Sequence, residues 1–550
     1  AFQLPSRKKD RRASFRRPLE AMSRIFASFL VVEASRQNLV ADLEPTVAVL
    51  EHTVRWGKNW DAEETIRLNL DVYEAYAKEA AAAGAKLLVT PEYGVTGYPG
   101  SNREWWWPFG TDIPEVEALG HSDFIPCISD ATPQVLRRLS CMARDHDLSI
   151  VASLIDMKDC SLHESYPGCS SSRDGWLLLN TDVVFDGDGR FLAKYHKSNK
   201  WGEAPVDAAA DCQAVTFKPR GFEVDFGLFT CADLIHQWPV LHMVSRGIRH
   251  FVMPLAWSNE MNQMQPLAWL QSWSRVMNVT LLAANARDPR KETGSGIFSQ
   301  GSVIKKAYSL AGPLDEMLLA SLPQLPSVKS PPAVCPRRSE PSSFPEFSWA
   351  LSFLDMSPGT HTKEVCRDWD GEMSSLCCEL NYIANFSGYG FVLAALNGGD
   401  SSPGITPWAG QACAVLPCVE RRFALDGQAY THQEFLEWYG EAEGEKLWEN
   451  ARQDVKSCLD YPLEELQQHG SKAFGSFATL QMQGSFSSSA RIFPMLLTDP
   501  TRLSSPRKLK VSKSGRSVSV SGAEAEKLIQ LEMYGRLYSK DRGYSTCPCE

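Results

Sequence analysis

The chain has 550 residues, of which 43% are hydrophobic, 22% charged and 10% aromatic, and it carries a formal net charge of −10. That composition excludes a disordered, collagen-like or coiled-coil protein, and the acidic balance argues against a nucleic-acid partner, because phosphate binding needs a basic face. The longest apolar candidate, Ile25–Val32, falls far short of the roughly 18 residues of a membrane helix, so no membrane span is expected. Fifteen cysteines are an odd number, so at least one sulfur is unpaired within a monomer. Structural disulfides plus one reactive thiol fit that count, and so do scattered buried thiols.

The chain opens with a basic run, Arg7, Lys8, Lys9, Arg11, Arg12, Arg16 and Arg17, which cannot pack. From Met22 a basic, apolar, then small-residue order resembles a secretory signal, although Glu33 spoils the cleavage site. Residues 1–45 are therefore set apart as an N-terminal extension, either a signal segment or a basic tail.

Over residues 46–322 strand and helix patterns alternate. Thr46–Leu50 is a β-like apolar run. Asp61 with Glu64 forms a capping-box pattern, and the helix it opens carries Ile66, Leu70, Tyr73 and Ala77 on one face before Gly84. Lys86–Thr90 reads as a buried strand that runs into Pro91 and Glu92. A helix over about 133–146 feeds a strand over 148–154. Asp182–Asp186 and Phe191–Tyr195 flank a Gly-Asp-Gly turn as a hairpin. The strand Phe226–Thr230 leads into Cys231 and a helix over about 238–246, and strands follow at His250–Met253 and Val279–Ala283. This β–α rhythm predicts an α/β fold. Residues 323–345 are Pro-rich and aperiodic, a linker. Residues 346–545 show short strand patterns over 390–395, 411–416, 476–484 and 528–538, a smaller β-rich domain. A charged, helix-periodic insertion interrupts it at about 420–472.

Three residues stand just beyond strands: Glu92, Lys197 and Cys231. Loops at strand ends are where a rigid sheet holds functional groups. Taken singly, each has an ordinary reading: a solvated loop carboxylate, a surface lysine, a buried thiol. Their surroundings are more specific. Ala48–Val54, Leu88-Val-Thr-Pro-Glu92, Asn180–Asp186, Lys194-Tyr-His-Lys-Ser-Asn199, Phe229-Thr-Cys-Ala-Asp-Leu234, Met253–Asn259 and Thr293–Ile297 together resemble the nitrilase superfamily of carbon–nitrogen hydrolases. The likeness continues through Cys377-Cys378, Cys413–Cys418 and Tyr534-Gly-Arg-Leu-Tyr-Ser-Lys540, which points to the branch containing biotinidase and the vanin pantetheinases.

The resemblance implies an α-β-β-α sandwich followed by the β-rich base domain, and a thiol-dependent amidase with Cys231 as nucleophile and Glu92 as general base. Lys197 and the backbone amide of Ala232 would stabilise the oxyanion. Such chemistry needs a thiolate with a base and a positive charge beside it. Glu203 is the candidate second carboxylate or else a loop charge. Trp257 lines the acyl site or packs in the core; Asn285 and Ser295 hold substrate or shape the rim. Tyr93, Tyr98 and Trp105-Trp-Trp107 narrow the pocket or pack elsewhere, and Tyr93 departs from the acidic residue usual there in vertebrate members. His236 reads as a helix-start residue rather than half of a Cys–His pair. No metal or cofactor motif occurs.

The expected substrate is a small linear amide, pantetheine first and biocytin second. Acyl transfer to an amine, or a non-catalytic secreted binding protein, are the remaining readings, the last disfavoured by the intact trio. The resemblance marks Cys127, Cys141, Cys160, Cys169, Cys366, Cys377, Cys378, Cys413, Cys418 and Cys458 as half-cystines, with Cys127–Cys141 and Cys160–Cys169 as local pairs; Cys212, Cys335, Cys547 and Cys549 have no counterpart. Disulfides and the sequon Asn385-Phe-Ser387 suit a secreted glycoprotein, while Asn278-Val-Thr280 enters an apolar strand. The final residues carry no lipid-anchor signal. A monomer or homodimer is expected.

Overall fold

In the computed structural model the described residues are 45–115, 124–210, 213–259, 264–288, 292–309, 315–325, 346–368, 375–386, 390–402, 405–418, 421–451, 476–498, 508–522, 525 and 528–538. The signal-like segment, the basic run, nearly all of the linker, residues 452–472 of the insertion, and Cys212, Cys335, Cys458, Cys547 and Cys549 lie outside them. The chain divides into two units at Pro45, and the fold is that of the second.

Strand β1 (Thr46–His52) shows how the layers arise. Successive side chains of a strand point to opposite faces. Val47 and Val49 accordingly enter one core while Ala48 and Leu50 enter another. The partners of Ala48 and Leu50 include Leu70, Tyr73 and Ala77 of helix α1 (Ala62–Ala82). This helix starts where expected: the Asp61 carboxylate accepts from Glu64 N at 2.7 Å. The return half of the capping box is absent, because Glu64 Oε2 accepts instead from Lys58 N at 2.6 Å.

The first sheet adds β2 (Ala85–Val89), β3 (Gly110–Thr111), β4 (Ser149–Asp159), β5 (Trp176–Phe185) and β6 (Phe191–His196). The second is built from β7 (Thr216–Phe217), β8 (Phe226–Leu228), β9 (His250–Leu255), β10 (Thr280–Asn285), β11 (Ser295–Ser299) and β12 (Ser302–Ala307), while β13 (Asp315–Ser321) returns to the first. Their orders are β13-β1-β2-β4-β5-β6, with β3 beside β4, and β12-β11-β10-β9-β8-β7. Strands β1, β2 and β4 run parallel, as do β8, β9 and β10. Helix α2 (Gln134–His146) joins α1 on the first sheet through Leu136 and Leu139. Helices α3 (Val240–Ser245) and α4 (Pro266–Met277) cover the second through Met243, Trp269 and Trp273. The result is the expected α-β-β-α sandwich. Helix α4 and strands β11 to β13 have no counterpart in the sequence reading.

Two antiparallel five-stranded sheets make up the C-terminal region. One runs Ser348–Phe353, Phe391–Asp400, Trp408–Pro417, Gln530–Arg536, Arg491–Leu497 in spatial order, and the other is built on Leu376–Phe386 and Ser476–Gly484. Leu531 and Met533 point between these sheets, whereas Tyr534 packs with α4, its ring 4.9 Å from that of Trp269. The described part of the insertion is a ribbon, Arg421–Phe423 with Ala429–Thr431, then helices His432–Tyr439 and Glu441–Asn450.

Disulfides join Cys127 to Cys141 and Cys160 to Cys169, the two implied local pairs, and also Cys366 to Cys377 and Cys378 to Cys413. Cys418 is disulfide-bonded as well. Among the described residues Cys231 is the free thiol, and none of their helices is long and apolar enough to cross a membrane. Asn278 caps the end of α4 and is half-buried, whereas Asn385 is exposed near the end of its strand rather than in a turn.

Candidate active site

Three strand ends converge. Strand β2 stops at Val89 and the chain turns at Pro91 to present Glu92; β6 stops at His196, one residue before Lys197; β8 stops at Leu228, three residues before Cys231. Cys231 opens a 3-10 turn, Cys231–Ile235, with φ +43°, a left-handed conformation that costs a non-glycine residue about 1–3 kcal/mol and persists only where surroundings enforce it. Asp233 does the enforcing. Its carboxylate accepts from Thr230 N at 2.9 Å, Tyr195 OH at 2.7 Å, Asn199 N at 2.9 Å and Asn199 Nδ2 at 2.8 Å. Burial pushes the pKa of Asp233 up to about 6 despite these donors.

Lys197 Nζ lies 2.8 Å from Glu92 Oε1 and 2.8 Å from Glu203 Oε2. Asn180 Nδ2 ties the same two carboxylates together, at 2.7 Å from Glu92 Oε1 and 2.8 Å from Glu203 Oε1. Ala256 N donates to Glu92 Oε2 at 2.9 Å, and Glu203 also accepts from Trp201 N at 3.1 Å and from the Tyr93 hydroxyl. Glu203 is therefore no loop charge. Glu92, Lys197, Glu203 and Cys231 are all buried.

The electrostatics sort the groups. Burial works against the ammonium of Lys197, but Glu203 and Glu92 outweigh it and hold its pKa well above the usual value. Burial also opposes ionisation of Glu203, yet the Lys197 charge and the Tyr93 and Trp201 donors leave its pKa lowered. For Glu92 burial prevails, helped by the nearby Glu203 charge, and its pKa is raised. The Cys231 thiol is pushed well above its usual range by burial and then by Glu92. Two carboxylates and one cation thus leave one excess negative charge, and Glu92 is the carboxylate with enhanced proton affinity. A protonated thiol beside a basic carboxylate and a fixed cation is suited to proton transfer coupled to nucleophilic attack.

A cavity of about 80 Å³ opens on Cys231, lined also by Ala232, Trp201, Ile235, Ala256, Trp257, Ser258 and Met264. The carbon–nitrogen hydrolase profile matches residues 46–280. A biotinidase of Takifugu rubripes is 27% identical over 94% of this chain and 95% of its own length. Pantetheinases of Sus scrofa and Homo sapiens are 29% and 28% identical, over 87% and 93% of this chain and 85% and 92% of their own lengths. Residues 46–280 are a carbon–nitrogen hydrolase domain, and the chain as a whole is similar to the biotinidase–vanin branch of the nitrilase superfamily. With that domain it is an enzyme, a hydrolase of carbon–nitrogen bonds.

Other expected pocket residues of this hydrolase take different places. Trp257 lines the cavity, its Nε1 donating to Met264 O at 2.8 Å. Asn285 sits behind it: Trp257 N donates to Asn285 Oδ1 at 2.8 Å, and Ser295 Oγ accepts from Asn285 N at 2.8 Å. These two fix Trp257 and do not line the cavity. Tyr93 is buried against Glu203, whereas Tyr98 is 41% exposed, with its ring edge-on to Tyr93 and Trp106. Trp106 is buried in a satellite core, and Trp105 and Trp107 face solvent.

His236 ends the 3-10 turn rather than starting a helix. Its ring nitrogens face Ala232 O at 3.0 Å and Thr406 O at 3.3 Å, and burial, then Arg536, lower its pKa to about 3. The sequence reading misses Trp201, Ile235 and Met264, which no local pattern distinguishes from core residues. It also misses the role of Asn180, although that residue opens one of the motifs.

Proposed function

We propose that this hydrolase cleaves pantetheine, a linear non-peptide amide, to pantothenate and cysteamine through an acyl-enzyme on Cys231. The observation that carries the reading is Lys197, held between Glu92 and Glu203, with the buried thiol of Cys231 lining the cavity. Cys231 Sγ attacks the amide carbon while Glu92 takes the thiol proton. The oxyanion that develops is met by Lys197 Nζ and the Ala232 N–H, a pre-set pair that needs no reorganisation during the reaction. As the tetrahedral species collapses, the carbon–nitrogen bond breaks and Glu92 hands its proton to the departing amine. A water deprotonated by Glu92 then adds to the thioester, and the thiol leaves to restore the resting enzyme. Glu203, Asn180 and Tyr93 act through Lys197 and Glu92, fixing their positions.

The substrate rests on fit and kinship. Trp201 and Trp257 line the cavity, and Ser258 in its wall offers a hydroxyl to the hydroxylated pantothenoyl chain. Sites built to hydrogen-bond a substrate reject analogues that leave polar groups unpaired. The biotinidase relative keeps biocytin as the second reading. Purified enzyme is expected to show a higher kcat/KM for pantetheine than for biocytin; a clear preference for biocytin would replace the substrate and leave the thiol chemistry in place. Product analysis with and without an added amine distinguishes hydrolysis from acyl transfer.

We also place the protein in an oxidising compartment, because four described disulfides do not persist in a reducing cytosol. Protein made in a secretory host should carry a glycan on the exposed Asn385 and show few free thiols when denatured without reductant. Alkylation of most of the fifteen cysteines under those conditions would overturn this assignment.

A further inference from the structure

Two of the three loops that carry the reacting groups, the Lys197 loop and the Cys231 turn, are tied to the C-terminal sheets. Thr406 lies just before the strand Trp408–Pro417. It grips the Lys197–Glu203 loop twice: Lys200 N donates to Thr406 Oγ1 at 2.9 Å, and Thr406 N donates to Lys200 O at 3.0 Å. The same residue's carbonyl faces His236 Nε2 at 3.3 Å, at the end of the Cys231 turn. Arg536 is wholly buried at the end of the strand Gln530–Arg536. Its Nε donates to Ile235 O at 2.5 Å, the last residue of that turn, and its Nη1 donates to Ala409 O. The Arg536 guanidinium lies 5.2 Å from the ring centre of Trp408, and that ring lies 5.6 Å from Trp201, which lines the cavity.

We infer that Thr406 and Arg536 are positioning residues for the hydrolysis, aligning the Cys231 turn with the Lys197 loop, and that Trp408 sets the cavity wall through Trp201. The physical argument is one of lever and load. A five-residue 3-10 turn has almost no helical hydrogen bonding of its own, and its first residue holds a strained φ. Its far end must be held if its near end is to stay in place. Arg536 supplies planar donors in a fixed fork, aimed at carbonyls of the turn and of the Trp408 strand at once, which a lysine cannot reproduce. A displacement of about 1 Å at a reacting atom costs about a hundredfold in rate, so a residue with no substrate contact can govern turnover. The motif around Tyr534, Gly535 and Arg536 thereby acquires a use: Tyr534 packs on α4 while Arg536 reaches the turn.

This inference rests on Cys231 being the nucleophile, and its test separates the two. Full-length Arg536→Met, Arg536→Lys, Thr406→Val and Trp408→Leu proteins are compared with wild type for kcat and KM on pantetheine, for native circular dichroism, and for the pH profile of iodoacetamide alkylation at the Cys231 peptide. The folded Arg536 and Thr406 variants are expected to lose about tenfold or more in kcat. KM should stay within about threefold, and the alkylation profile should shift because the thiol no longer meets Glu92 and Lys197 in register. Trp408→Leu should instead raise KM. A merely structural role would lower the melting temperature and leave kcat and the alkylation profile of folded protein unchanged, and that result overturns the inference. Should Arg536→Met not fold, Thr406→Val decides, since it removes a single acceptor. Wild-type enzyme that keeps full turnover after Cys231 is alkylated would refute the nucleophile, not the clamp.

Discussion

Replacing Cys231 by alanine is expected to abolish turnover, with kcat falling by at least about 10⁴-fold, while the fold persists. The side chain removed is small, and its absence leaves the turn's supports intact: Asp233 still receives Thr230 N, Tyr195 OH and Asn199 N. Alanine also takes the burial penalty of a thiol out of the site, so melting should stay close to wild type. Glu92→Gln should lose activity by a similar order, because groups that act as one unit are non-additive. The double variant should then be scarcely worse than either single one. Turnover near wild type in Cys231→Ala protein, measured by product release with stability checked by thermal melting, would remove the thiol mechanism outright.

Replacing Lys197 by methionine is expected to damage both activity and stability. Loss of a pre-set oxyanion donor costs about 10²–10³ in kcat. Stability should fall by about 3–5 kcal/mol, the usual result of removing one partner from a buried ion pair, because Glu92 and Glu203 then face each other without a cation. The deficit carries a pH signature. In wild type the Glu92 pKa is already raised by burial, and the Glu203 pKa is lowered by Lys197. Without the lysine both folded-state values rise above those of the unfolded chain, so the folded state binds more protons than the unfolded one in the window between. Stability is then lost as the pH rises through the raised values and recovered as it falls. Denaturant titrations at several pH values should show the gap from wild type narrowing toward acid. A gap independent of pH would mean that the carboxylates had found other partners.

The sequence reading singled out Glu92, Lys197 and Cys231 as residues just past strands and took their proposed roles from a family resemblance, and the structure brings the three strand ends together. Parallel strands buried on both faces read as short apolar runs, and the residue just past each run is at a strand end whatever the tertiary arrangement. Leu87–Val89 before Glu92 and Phe226–Leu228 before Cys231 are such runs, so the sites were visible as breaks in hydrophobicity. The same logic accounts for the α/β class and for the helices α1 and α2, whose periodicity is local, while the sandwich itself was implied by the family resemblance. The resemblance implied two local disulfide pairs, whose partners are 14 and 9 residues apart, and left open Cys366–Cys377, 11 apart.

What local pattern cannot carry is any property that depends on which distant segment comes to rest nearby. Asp61 capped its helix as expected, but Glu64 turned to Lys58 because a loop amide was within reach. Glu203 could be read as a second carboxylate or as a loop charge, and only Lys197, Asn180 and Tyr93 closing around it decided between them. Asn285 and Ser295 had the chemistry of substrate binders, yet packing set them behind Trp257 as its supports. The far anchor of the nucleophile turn comes from hundreds of positions away, Arg536 meeting Ile235 across 301. Composition, periodicity and strand ends are functions of neighbours along the chain, so the amino-acid order by itself determined the α/β class and the candidate residues at the strand ends. Burial, ion pairing and the width of a cavity are functions of neighbours in space, and those only the tertiary structure decided.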